Sequence, residues 1–366
     1  MPTSMTLASG TAPVDWILER LERLCAFDTT TGREDAGLAA LCAELEDLGA
    51  RIERHEVEPS RHNVLATWGE PRLLFSTHLD TVPPYIAPRR DGGALWGRGT
   101  CDAKGQAVAQ FAVIRELLRR GEGDLAWLGV VGEETDSCGS KRALALAPRF
   151  RGLRGAINGE PTQNKLATGQ RGVQHLVLRT RGVAAHSGTP ERGRSALWPL
   201  LEWLERLRAI PQAEHPDLGP EIWNLGQLSG GRAPNVVPDL GEAHLFVRAL
   251  PGSTFEQRVR ELAPECGSVE SVFKTQPALY PRVHGFDHAL VPFGSDAPRV
   301  QQLVPGGRVA LVGPGSIEVA HSEREHVSSA DLAAGHELLL ALAKHFLALP
   351  VAAGPGSGLD SAEARA

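Results

Sequence analysis

The stretch LLFSTHLDTVPP, residues 73–84, decides the fold. It opens as a run of strand-forming apolar residues and ends on His78 and Asp80, followed by a turn at Pro83 and Pro84. A histidine and a carboxylate two positions apart leave the same face of an extended chain, which is how a metal site commonly begins. An apolar strand with ligands beyond its carboxyl end points to an α/β sheet covered on both faces.

The neighbouring segments repeat the pattern. LAWLGVV (125–131), RGAIN (154–158) and RVALVG (308–313) are short apolar runs separated by helical segments, and each ends in polar or glycine-rich sequence. NVLATW and RLLFST read as strands. From Glu34 to Leu48, the apolar positions Leu38, Leu41, Cys42, Leu45 and Leu48 keep helical spacing, with Gly49 placed to end the helix. After a hairpin around Asp91, Gly92 and Gly93, a helix beginning at Lys104 lines Ala107, Phe111, Ile114 and Leu118 along one buried face.

Between residues 172 and 280 the rhythm changes. Strand (173–181), helix (194–209), strand (222–230), strand (242–250), helix (254–264) and strand (268–274) make a complete β-α-β-β-α-β unit, which can fold as a domain of its own. The expected organisation is therefore a first part of the larger domain over 1–171, an insertion over 172–280, and a second part over 281–366. The small, polar, glycine-rich end VAAGPGSGLDSAEARA is expected to be a disordered tail.

Bulk properties exclude several classes. With a net charge of −6 and no long run of lysine or arginine, nothing suggests a nucleic-acid or anionic-membrane surface. No stretch approaches 18 uninterrupted apolar residues, and residues 1–16 carry neither a basic nor a continuous apolar region, so a cytoplasmic location is expected. The five cysteines are odd in number, scattered and without CxxC spacing, which argues for reduced thiols. GGALWGRG fits neither a P-loop nor a dinucleotide fingerprint, and no nucleophile elbow meets a strand end.

Five stretches place metal-ligating side chains after apolar runs or in glycine-rich turns: STHLDTVP (His78, Asp80), GRGTCDAKGQ (Asp102), VVGEETDSCGS (Glu133, Glu134), INGEPT (Glu160) and GPGSIEVAHS (His321). Two imidazoles and three carboxylates suit a pair of borderline divalent ions, zinc or cobalt, each taking one imidazole and one terminal carboxylate, with a third carboxylate bridging. Open positions remain, as catalysis requires.

With these residues in this order, the chain resembles the acetylornithine deacetylase and succinyl-diaminopimelate desuccinylase family of two-metal amidohydrolases, which also includes aminoacylases and carboxypeptidase-G-type enzymes. The resemblance runs from about Val14 to Leu347. It implies an exopeptidase-like α/β catalytic domain with a mixed, helix-covered sheet, plus an inserted ferredoxin-like α+β lid that also forms a homodimer. It implies that His78 and Glu160 bind one metal, Glu134 and His321 the other, and that Asp102 bridges them. Asp80 would accept the second ring N–H of His78, and Glu133 would be the general base. On the insertion, His186 in RGVAAHSGTPERGRSA would donate to the oxyanion, from either subunit of a dimer. Asn235 and Arg248 would hold the substrate, the latter as a planar fork for a carboxylate.

Two features depart from the family pattern. FGSDAP stands where relatives carry a Gly-Thr-Asp or Gly-Thr-Ser-Asp stretch, which makes Ser295 and Asp296 the corresponding substrate contacts. Cys101, beside Asp102, is either an adventitious soft ligand or a packed thiol. The implied reaction is hydrolysis of the amide of an N-acylated amino acid, with N-acetyl-L-citrulline first, N-acetyl-L-ornithine next, and arginine biosynthesis as the setting. An aminoacylase or dipeptidase on the same scaffold is the enzymatic alternative, and a non-catalytic metal- or ligand-binding relative is the other.

Overall fold

The structure, a computed structural model, describes residues 13–352. The expected disordered tail lies almost wholly outside them. The chain divides into two compact units. One takes the described residues up to Ala167, together with Tyr280–Ala289 and the segment from Ser295 onward; the other comprises Thr168–Leu279 and Leu290–Gly294.

The first unit is built on a six-stranded sheet in the order Arg51–Glu58, Arg61–Trp68, Leu125–Val130, Leu73–His78, Gly155–Asn158, Val309–Leu311. The last four strands run parallel to one another, and the first two complete the sheet antiparallel. Leu73–His78 and Leu125–Val130 are buried at every residue, as a central strand covered on both faces must be. The helices Pro13–Cys25, Lys104–Arg119 and Ser329–Ala348 supply Leu21, Phe111, Ile114, Leu342 and Phe346 to the same core as Phe75 and Trp127.

The segment expected as one helix over 34–48 is two pieces, a short turn at Glu34–Ala36 and the helix Leu38–Asp47. Glu34 is drawn out of the helical course because its carboxylate pairs with Arg61 at 2.5 Å and accepts from the Gly32 amide. Gly49 does end the helix, with φ of +79°. At the hairpin between Arg89–Asp91 and Ala94–Trp96, Gly92 and Gly93 both have positive φ, as a tight two-residue turn requires.

The second unit is a four-stranded antiparallel sheet in the order Ile222–Gly230, Leu240–Ala249, Gly172–Arg181, Gly267–Lys274. In chain order, the helix Leu197–Arg208 follows the strand Gly172–Arg181 and the helix Phe255–Glu261 follows the strand Leu240–Ala249, which is the ferredoxin-like arrangement. Alternate residues Leu176, Leu178, Ala243, Leu245 and Val247 pack beneath Leu200, Trp203, Leu207 and Val259. Trp203 is 1% exposed and donates its indole N–H to the Val259 carbonyl at 3.1 Å. Trp203→Ala is expected to destabilise the protein by about 3–5 kcal/mol, read as a lower midpoint in urea unfolding of the unit that contains it.

Candidate metal centre

The parallel strands all end on one side of their sheet, and the acids and imidazoles of the sequence motifs leave from there. His78 is the last residue of its strand, Glu133 and Glu134 follow Val130 closely, and Glu160 follows Asn158. Asp102 arrives on the loop before the helix Lys104–Arg119. That loop packs tightly against the first helical turn: a Cβ on Gly105 would lie 2.1 Å from the Thr100 carbonyl oxygen, so only glycine fits there. His321 comes from the loop after Val309–Leu311 and holds φ of +60°, a left-handed backbone uncommon outside glycine and typical of functional positions.

Two triplets of ligand atoms result, and they share one residue. His78, Asp102 and Glu160 each offer an atom within 4.8 Å of the others, and so do Asp102, Glu134 and His321. His78 Nε2 lies 3.0 Å from Asp102 Oδ1 and 3.9 Å from Glu160 Oε2. His321 Nε2 lies 3.2 Å from Asp102 Oδ2 and 3.0 Å from Glu134 Oε2. The two oxygens of Asp102 therefore face different imidazoles. Ligands about 2.0–2.2 Å from a tetrahedral ion stand about 3.3 Å from one another, so these separations fit a divalent ion in each triplet.

The electrostatics agree with that fit. Burial, together with the neighbouring acids, holds the carboxyls of Glu133 and Glu160 well above the ordinary range, against the opposing pull of His78. Asp102 goes the other way: despite burial, hydrogen bonds from both imidazoles keep it ionised well below its usual value. The His321 imidazole is pushed up to about 10 by Asp102 and Glu134. So many buried acids around two imidazoles require additional positive charge to be ionised together.

Asp80 requires a correction. The His78 Nδ1 hydrogen bond goes to the backbone carbonyl of Asp80 at 2.9 Å, while the Asp80 carboxylate stands at 3.6 Å, an ion-pair separation rather than a hydrogen bond. The carboxylate instead accepts from the Glu133 amide at 3.1 Å, the Glu134 amide at 3.2 Å and the Thr31 hydroxyl at 2.8 Å. It holds the backbone that aims both glutamates. Among the described residues the Glu133 carboxylate has no hydrogen-bond partner, which leaves it available to take a proton.

Ser295 and Asp296 sit at the start of the helix Ala297–Leu303. Both are buried; Ser295 Oγ accepts from the Ala297 amide at the start of a helix, and Asp296 accepts from the Ser140 hydroxyl and from Arg299. These bonds fix the start of that helix. Cys101 is fully buried, and burial with the charges of Glu325 and Asp102 pushes its thiol well above the ordinary range, so it packs as a neutral side chain. All five cysteines are free.

On the second unit, the segments carrying His186 and Asn235 lie side by side, bridged at His186–Val236, and both residues are exposed. His186 Nδ1 accepts from the Gly188 amide at 3.0 Å, which leaves the ring proton on Nε2 as a free donor. Arg248 lies on the sheet face away from the helices, its guanidinium 5.1 Å from the Phe246 ring centroid. Among the described residues it has no acidic partner; its nearest charged influence is another guanidinium, Arg171. Arg171 is 7% exposed, donates to the Pro220 carbonyl at 2.7 Å, and leaves its Nε without a partner. Arg171 is not among the residues that the sequence motifs single out.

The family model for peptidase family M20/M25/M40 matches residues 74–345, which span every ligand in both triplets. The chain belongs to that family. This M20-family chain is a metal-dependent hydrolase by membership, and the family typically binds divalent ions. It is 35% identical to a protein of Aspergillus clavatus named "Probable carboxypeptidase", over 79% of this chain and 78% of the relative. It is 33% identical to an M20 domain-containing protein of Schizosaccharomyces pombe, over 88% and 82% of the respective chains. Its fold is similar to that of the aminopeptidase PepT from Bacillus cereus (TM-score 0.77, 20% identity, 91% of this chain and 99% of that one). It is also similar to an M20 metallo-carboxypeptidase from Sulfolobus solfataricus (TM-score 0.70, 14% identity, 90% and 99%). None of these proteins bears a deacetylase name, so the family match supports the broad resemblance and not its acetylornithine or acetylcitrulline branch. Among the described residues, no helix is long and apolar enough to cross a membrane.

Proposed function

We propose that the protein hydrolyses the amide bond of a short peptide bearing a free carboxylate, as a two-metal dipeptidase or carboxypeptidase. The observation that carries the reaction type is Asp102, whose two oxygens serve two ligand triplets with Glu133 next to one of the ligands. Bound there, two divalent ions, zinc or cobalt, would lower the pKa of a water and polarise the scissile carbonyl.

Each protein residue then has a task. Glu133 takes the proton from the attacking water and returns it to the leaving amine. Asp80 keeps Glu133 and Glu134 aimed through their amides. His186 donates its Nε2 proton to the tetrahedral oxyanion, and Asn235 adds a polar contact to the substrate. Arg248, with Arg171 beside it, holds the carboxylate: two guanidiniums without an acid between them favour an anionic group. Arg248→Met is expected to raise KM for a dipeptide by at least tenfold and to leave its amidated counterpart unaffected, measured by steady-state kinetics on both.

N-acetyl-L-citrulline and N-acetyl-L-ornithine present the same amide and the same carboxylate, and they form the second reading, with a place in arginine synthesis. The carboxypeptidase names of the relatives favour the peptide reading. A substrate panel of dipeptides, tripeptides and N-acetyl amino acids decides between them. A homodimer through the inserted unit is supported by its exposed apolar surface: Trp198 (68% exposed) and Leu201 on one helix, and Leu225 and Leu228 on the edge strand.

A further inference from the structure

GRG at 97–99 belongs to the glycine-rich run that fits no nucleotide-binding motif, and the structure gives it another occupant. Gly97 and Gly99 hold φ of +137° and +85°, and the chain between Gly99 and Asp102 turns its amides toward one point. That point is the carboxylate of Glu325. Glu325 Oε1 accepts from the amides of Gly99 at 2.8 Å, Asp102 at 3.3 Å and, more loosely, Cys101 at 3.4 Å. Its Oε2 pairs with Arg98 Nη1 at 2.5 Å. The loop cradles an anion that belongs to the protein itself.

The pair is buried, Arg98 at 2% and Glu325 at 1% exposure, and it reaches three ligand-bearing loops. Arg98 also donates to the carbonyls of Pro84, past His78 and Asp80, and of Ser322, next to His321. Glu325 lies in the turn that begins at His321, its amide bonded to the Ser322 carbonyl. Neither residue belongs to a ligand triplet. A buried ion pair contributes little to stability compared with apolar residues of the same volume, so stability alone does not account for it.

We propose that Arg98 and Glu325 are positioning residues that hold the Asp102 backbone against the His321 turn, so that its two oxygens reach both triplets. A bridging carboxylate shifted by a fraction of an ångström serves one ion at the expense of the other, and partners behind the ligands typically govern metal affinity 10–100-fold. The inference rests on the two-metal reading, and the test separates the two.

The wild type, Glu325→Asp, Glu325→Gln and the double variant Arg98→Met/Glu325→Leu are stripped of metal by chelator. Each is titrated with Co²⁺ followed by its absorption bands, alongside the metal-free melting temperature and, at saturating Co²⁺, kcat and KM. Glu325→Gln keeps an acceptor for the amides but loses the charge, and the double variant leaves no buried charge unpaired, so one or both retain the fold. Expected are Co²⁺ affinity weaker by 10–100-fold in Glu325→Gln and the double variant, partial recovery in Glu325→Asp, and lower kcat with KM within twofold. A variant with the wild-type circular dichroism that binds Co²⁺ within twofold of the wild type overturns the positioning role. If the wild type itself takes up no Co²⁺, the two-metal reading falls, and this inference with it.

Discussion

Glu133→Gln is expected to lower kcat by about 10²–10⁴-fold, the usual worth of a positioned general base, while KM stays within about threefold. The substitution is close to isosteric and leaves the backbone amide of residue 133 free to donate to Asp80, so the turn that aims Glu134 persists. Metal content after dialysis should equal that of the wild type. That combination distinguishes a proton-transfer role from a merely structural one, because a collapsed turn would lose metal along with rate. Undiminished kcat in the Glu133→Gln variant would remove Glu133 from the chemistry.

The second large effect is expected at Asp102. Asp102→Asn keeps the shape but removes the charge that faces both imidazoles, with Nε2 of His78 at 3.0 Å and of His321 at 3.2 Å. Bound metal, measured by mass spectrometry after dialysis, should fall from two ions per chain to one or none. Because each ion, when bound, would contribute several kcal/mol of transition-state stabilisation, hydrolysis should fall by about 10³-fold or more. Retention of two ions at wild-type affinity would show that Asp102 does not bridge.

The central strands and the inserted unit were legible because their patterns are local. Leu73–His78 announces itself as a buried run ending on a ligand, and Leu176, Leu178 and Leu245 alternate as strand residues over a helical layer must. Edge elements were harder to read. Arg51–Glu58 is rich in charge and has no buried residue, so it carries little apolar signal, yet it pairs along its length with Arg61–Trp68. The helix Ser329–Ala348 is apolar around much of its circumference, which blurs its face, although Ser328 caps it through the Asp331 amide.

At the site, the residues that end strands were legible and those that hold them were not. His78, Glu134, Glu160 and His321 sit in recognisable short motifs, whereas the Asp80 carboxylate finds its amides 53 and 54 residues away and Arg98 finds Glu325 at a separation of 227. The surroundings of Ser295 and Asp296 were hidden for the same reason. Their motif is local, whereas the Ser140 hydroxyl that donates to the Asp296 carboxylate lies 156 positions away. Glu325 gave one usable signal, an acid four residues after His321 at the edge of a strand.

The most direct test of the two-metal account is metal titration of the chelator-treated protein with Zn²⁺ or Co²⁺, followed by hydrolysis of a panel of dipeptides together with N-acetyl-L-citrulline and N-acetyl-L-ornithine. The account predicts no turnover without metal, recovery that reaches its maximum at two ions per chain, and a preference for substrates with a free carboxylate. Hydrolysis that persists at full rate in metal-free protein, or a single ion sufficing for full activity, would contradict it.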